Sequence, residues 1–147
     1  MYQNGQTNPT TNEIRAVLSV VNTGGAPVAL SDVLVRYWYN EGATLPQTYN
    51  CDFAVVGCAN VTGTFVALSP ARSGADHYLQ VGFGAGAGSL AAGAATGQIQ
   101  NRFNKSDFSN FNQSGSWSFD PTRTTLSDWN HVTVYYRGQL VFGTEPS

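Results

Sequence analysis

Charge is scarce in this chain. Of its 147 residues only 11% are Asp, Glu, Lys or Arg, against about a quarter in ordinary globular proteins, and the net charge is -2. Seven Lys and Arg residues cannot build the basic face that a nucleic-acid partner demands. Lys/Arg-rich amphipathic stretches are missing, which argues against binding at a membrane surface. The longest apolar runs fall far short of the roughly 20 residues that a spanning helix needs. Amphipathic helical periodicity is absent throughout, so helical fold classes drop out. There are only two cysteines, Cys51 and Cys58, and two histidines, His77 and His131. Neither pair has metal-type spacing, and a zinc site would need two more ligands than the cysteines supply. The Gly-x-Ser-x-Gly turn of the serine hydrolases is not found.

What is plentiful is β-forming and aromatic. Hydrophobic residues make up 41% and aromatic ones 12%, which excludes disorder. β-Branched or alternating runs at Ile14 to Val21, Val33 to Tyr39, Thr48 to Val56, Val61 to Leu68, His77 to Phe83, Thr96 to Phe103, Val132 to Tyr136 and Gln139 to Phe142 predict strands. Asn22-Thr23-Gly24-Gly25 closes the first of these, and Arg137-Gly138 predicts a tight hairpin between the last two. The Gly/Ala-rich segment 84–97 has the look of a dinucleotide loop. A strand follows it, however, and no βαβ unit surrounds it, so it reads as a flexible connection. Short strands divided by turn signals predict an all-β fold, a two-sheet antiparallel β-sandwich. At this length one domain is the prior, residues 1–147.

The most informative segment is Gln98 to Ser118. An apolar strand ending in Arg102-Phe103 runs into Asn, Ser and Gln, with Phe108, Phe111 and Trp117 at intervals. Rings offer flat apolar area, and amides and hydroxyls offer neutral hydrogen bonds. That pairing suits an uncharged ligand with apolar faces and hydroxyl edges, such as a sugar chain. The alternative is a loop whose rings fold back into the core.

Catalysis by this chain is not expected. Glycoside hydrolysis usually needs two placed carboxylates, and most of the nine here sit in turn-like contexts beside Ser, Gly, Pro or Asn. Each histidine opens a strand beside Asp or Asn, a structural setting. Six residues separate Cys51 from Cys58, so a disulfide could close a small loop; two reduced, buried thiols are the alternative. A disulfide presupposes secretion. No signal peptide is visible, and Met1 reads as the start of a piece excised from a larger multidomain protein, with Gly143 to Ser147 as the beginning of a linker.

Several ordered segments then resemble one family. They are Leu34 to Tyr39, Gln47 to Phe53, Gly63 to Val66, Gln98 to Phe103, Asp107 to Phe111 and Asp128 to Tyr135. In this order, from about Tyr2 to Pro146, the chain is similar to the family 3 carbohydrate-binding modules. The resemblance implies a nine-stranded jelly-roll sandwich, attached to cellulases or scaffoldins, that binds cellulose through a flat strip of aromatic and polar residues. Strip positions fall on Asp52, Phe53, Gln100, Arg102 and Phe108. Phe108 stands where the family carries Trp, and the strip's Tyr has no counterpart, because its loop is shortened to Cys58-Ala59-Asn60-Val61. Phe53 could alternatively pack inward under the cysteine loop. The family's structural calcium would fall on Asn40, Gly42, the Asn112 carbonyl, Gly115 and Ser116, with the Glu41 carboxylate one position off. Gly42 and Ser116 replace the usual Asp, so no cofactor is expected. A shallow groove on the opposite sheet would involve Arg36, Tyr78 and Tyr135. The expected partners are cellulose or a related β-glucan and a covalently linked catalytic domain, with the module itself a secreted monomer. A helper module that does not bind crystalline cellulose, or a protein-interaction ectodomain, are the alternatives.

Overall fold

A computed structural model describes residues 1–147. The principal strands are β1 (Tyr2–Asn4), β3 (Glu13–Leu18), β5 (Val33–Tyr39), β6 (Gln47–Ala54), β7 (Val61–Arg72), β8 (Ala75–Phe83), β10 (Ile99–Lys105), β12 (Val132–Tyr136) and β13 (Gln139–Phe142). These nine form two antiparallel sheets, one ordered β1-β3-β10-β6 and the other β13-β12-β5-β8-β7. The result is a β-sandwich of the jelly-roll kind. Two small ladders join β2 (Thr10–Thr11) to β11 (Phe111–Asn112) and β4 (Val28–Ala29) to β9 (Ser89–Leu90). Three single-turn 3-10 segments are the only helical elements.

Period-two alternation builds the layers. In β3 the residues Ile14, Ala16 and Leu18 are buried while Arg15 is exposed; in β10 Ile99, Asn101 and Phe103 face inward while Gln100 and Arg102 face out. Inward residues from both sheets merge into one core that includes Tyr2, Tyr37, Tyr39, Phe103 and Phe111. The Phe103 ring meets Tyr39 at 4.8 Å and Phe111 edge-on at 5.8 Å. Beneath the four-stranded sheet the polar side chains pair with one another. The Tyr49 hydroxyl donates to Asn101 Oδ1 at 2.6 Å, and the Asn101 amide donates to the Ala16 and Ile99 carbonyls. Tyr49 lies against Gly63, where any side chain would strike its ring.

The expected hairpin is present. Arg137 (φ 49°) and Gly138 (φ 79°) connect β12 to β13, the double positive-φ turn that matches strand twist. The expected loose connection over 84–97 is instead folded. It contains a 3-10 turn, contributes β9 to a ladder with β4, and buries Leu90 in the core. Five two- and three-residue elements, β1, β2, β4, β9 and β11, were not predicted, because two or three residues carry no periodicity.

Candidate functional site: a planar strip on the four-stranded sheet

Four of the residues singled out in the sequence, Asp52, Phe53, Gln100 and Arg102, stand on β6 and β10 of the β1-β3-β10-β6 sheet, and Phe108 follows in the turn after β10. β10 pairs with β6 with Gln100 opposite Phe53, and Asn101 opposite Cys51, so Asp52 is an extra residue on β6. This β-bulge decides what the strip looks like. Strict alternation would send Asp52 and Phe53 to opposite faces; the inserted residue lets both stand in solvent, with Phe53 49% exposed. The alternative of an inward Phe53 is thereby set aside.

Asp52 is gripped by Arg102. Nε donates to Oδ1 and Oδ2 at 3.1 and 3.0 Å, and Nη2 donates to Oδ1 at 3.0 Å. The carboxylate beside it holds the Arg102 guanidinium above its ordinary value. A planar fork bound to a carboxylate is flat and locally neutral. Phe108 lies past the C-terminal end of β10 and Phe53 near its N-terminal end, so the ion pair stands between two rings. Phe108 is 64% exposed, and its φ of 55° is rare for a bulky residue. Its N–H donates to the Lys105 carbonyl at 3.0 Å, and Asp107 Oδ1 accepts from Ser109 N–H, so the turn is held from both sides. Gln100, on the same face, donates to the Gln98 side chain at 3.1 Å.

Three residues of this surface carried no site assignment in the sequence. Arg15 lies opposite Arg102 in the β3–β10 register, and Glu13 lies opposite Asn104. Glu13 accepts from Arg15 Nε at 2.8 Å and stands 3.8 Å from Arg102, giving an alternating row Arg15–Glu13–Arg102–Asp52 across three strands. Val55 is 63% exposed beyond Phe53 and lengthens the apolar end. A clue for Arg15 was available: it interrupts an apolar alternation at an outward position.

The other rings of the singled-out segment do not reach this face. Phe111 is core, 1% exposed. Trp117 stacks on His131 at 3.8 Å, and His131 contacts Trp129 on its way into a column capped by Arg123. That column, and the bond from His77 Nδ1 to Asp76 at 2.9 Å, give both histidines structural partners. On the opposite sheet Arg36 lies 4.4 Å over Tyr78 and 4.2 Å over Tyr135, and Glu145 accepts from Arg72 and Tyr135 there.

Cys51 and Cys58 are joined by a disulfide with Cα atoms 5.7 Å apart. It closes the turn that carries Asp52 and Phe53.

The calcium positions are short of carboxylates: Gly42 has no side chain and Ser116 carries a hydroxyl. Asn40 spends its side-chain amide on the Gly115 carbonyl at 3.2 Å and its N–H on the Ser116 hydroxyl at 3.0 Å. Asp76 is occupied by the N–H groups of Glu41 and Gly42 at 2.6 and 3.0 Å. No group of three or more His, Cys, Asp or Glu residues converges on one point. Calcium wants several free oxygens, including carboxylates.

The family model described as "Cellulose binding domain" matches residues 1–143. The chain is 49% identical over 147 residues to "Beta-mannanase/endoglucanase A" of Caldicellulosiruptor saccharolyticus, covering all of this chain and 11% of that protein. It is 47% identical over 146 residues to a xyloglucanase of a Paenibacillus species, covering 99% of this chain and 14% of that protein. It therefore spans a small fraction of each of these two relatives. Among solved structures it is similar to the CBM3b module of the major scaffoldin subunit ScaA from Acetivibrio cellulolyticus, at TM-score 0.94 and 39% identity over 99% of this chain and 94% of that one. The chain belongs to the family 3 carbohydrate-binding modules, a non-catalytic cellulose-binding domain family.

Proposed function

We propose that the strip binds the flat face of cellulose or a closely related β-glucan, and that the module thereby holds a covalently linked enzyme or scaffold at the polysaccharide. The observation that carries this reading is the exposure of Phe53 and Phe108 toward opposite ends of β10, with the Asp52–Arg102 pair between those ends. Pyranose rings present C–H faces to aromatic rings, while the guanidinium, the carboxylate and Gln100 meet hydroxyl edges. Each ring contact is worth about 0.5–1.5 kcal/mol beyond burial, on the scale of aromatic pairs. Two such contacts are weak for one site and become useful on a surface that presents many. The disulfide supports a secreted setting.

Adsorption to microcrystalline cellulose tests the proposal. The intact module should deplete from solution. Phe108→Ala should weaken adsorption roughly 2- to 10-fold with a thermal midpoint nearly unchanged, since the ring is largely in solvent. Phe108→Trp should tighten it. A module that ignores cellulose but alters an attached enzyme would be a helper instead; Phe at position 108 and the missing strip Tyr are the features that favour that second reading.

A further inference from the structure

Lys105, at the last position of β10, is nearly buried at 6% exposed. Burying an ammonium is costly unless it is paired. Its Nζ donates to the Asn110 carbonyl at 3.0 Å, lies 4.8 Å above the Phe111 ring, and stands 3.8 Å from Glu41 Oε1. The Glu41 side chain is fully buried. Its Oε2 accepts from the Ala43 N–H at 2.7 Å, while Oε1 has no hydrogen-bond partner, so the ammonium is the cation facing that oxygen. Glu41 belongs to the 40–44 loop, one of the regions that the family's metal would touch, and Asn110 lies two residues before Asn112 in the other. The nearest carboxylates, Asp76 and Glu41, already accept backbone N–H groups, and no third acidic side chain joins them.

The same lysine touches the strip through its backbone. The Lys105 carbonyl accepts from Phe108 N–H, and the Lys105 ammonium holds Asn110, so both ends of the turn bearing Phe108 rest on one residue. That turn keeps Phe108 at φ 55°, a conformation that must be imposed by its surroundings.

We propose that the Lys105 ammonium is the resident cation of this module. It ties Glu41 to the 105–110 turn without a metal and serves as a positioning residue for Phe108. The second half of this inference rests on the strip being the binding surface; the first half does not, and the experiment separates them.

Thermal unfolding is measured in EGTA and in millimolar calcium for the intact module, Lys105→Met, Glu41→Gln and the double variant. The intact module should unfold at the same temperature in both media. Each single variant should lose at least about 5 °C, and the double variant should lose clearly less than the sum of the two. A calcium-raised midpoint in the intact module, or additive losses, would overturn the internal cation. Adsorption to microcrystalline cellulose is then measured at a temperature where every variant is folded by near-ultraviolet circular dichroism. Lys105→Met should weaken adsorption several-fold, and adding it to Phe108→Ala should cost nothing further. An equal further loss in the Phe108→Ala background, or no loss in either, would overturn the positioning role. Should Lys105→Met prove unfolded, Glu41→Gln, which keeps the side-chain volume, carries the same comparison. If Phe108→Ala itself leaves adsorption unchanged, the strip reading fails while the thermal result still stands.

Discussion

At the scale of single residues the strip is a problem of presentation. Arg102 is long and flexible, and Asp52 limits it to one orientation through three hydrogen bonds. Glu13 does the same for Arg15. Ordering these side chains before a ligand arrives removes part of the entropy cost of binding. Because each guanidinium already faces a carboxylate, there is little counterion release to gain. Adsorption should therefore change less than about twofold between low and moderate sodium chloride. A collapse with salt would point to an electrostatic partner. Arg102→Ala should weaken adsorption more than Arg15→Ala, since it also frees Asp52 and removes the centre of the row; adsorption isotherms of the two variants make the comparison.

At the scale of elements, the turn between β6 and β7 is the part that local forces alone would leave loose. Val55 and Gly57 make backbone bonds to Gln98 and Ala54, and the Asn60 amide donates to the Val56 carbonyl, but the segment's strongest tie is covalent. Closing a loop of this size contributes about 2.5 kcal/mol in the chain-entropy model. Reduction should lower the unfolding midpoint by about 5–10 °C in a chain of this length. It should also weaken adsorption, because the bulge that turns both Asp52 and Phe53 outward is anchored at Cys51. Calorimetry and cellulose depletion on the same reduced sample read both effects. A lower midpoint with unchanged adsorption would confine the bridge to stability.

For the whole molecule the pH response follows from buried or bonded carboxylates. Burial alone would raise Asp76, but the N–H groups of Glu41 and Gly42 and the His77 ring outweigh it and hold the group below its usual 3.8. Asp120 behaves likewise, its burial outweighed by Thr122 and Arg123. Glu145 is held low by Tyr135 first and by Arg72 next. A carboxyl depressed in the folded state binds protons more readily when unfolded. Its contribution is therefore fully present above the unfolded value and is lost as pH falls through the folded one. The module should keep a constant midpoint near neutrality and lose stability as pH drops below about 4. Asp76→Asn should flatten part of that loss, and thermal unfolding from pH 6 to 2.5 checks it. These three groups tie loops or the C-terminal segment to the sheets, so acid should loosen the connections before the core.

The class of fold was legible because it is written locally. Period-two alternation and turn residues placed β5, β12 and β13 at their observed bounds, and Arg137-Gly138 specified its hairpin, since backbone preference over two to seven residues suffices for each. The ordered motifs along the chain carried the family. The neighbours within the strip were decided elsewhere. Phe108 and Phe111 lie three positions apart in similar company, yet one is in solvent and the other in the core. What separates them is the turn beyond β10 and the short pairing of β11 with β2, a contact with residues 10 and 11 that no window around position 111 contains. Arg15 and Glu13 join Arg102 only through the β3–β10 register, and Asp52 and Phe53 share a face only because the partner strand lacks a residue opposite Asp52. Glu41, in the 40–44 loop, meets Lys105 at the end of a strand distant in sequence. Side chains that depend on the register of a remote strand are set by the energy of the whole sandwich, and only the tertiary structure records that choice.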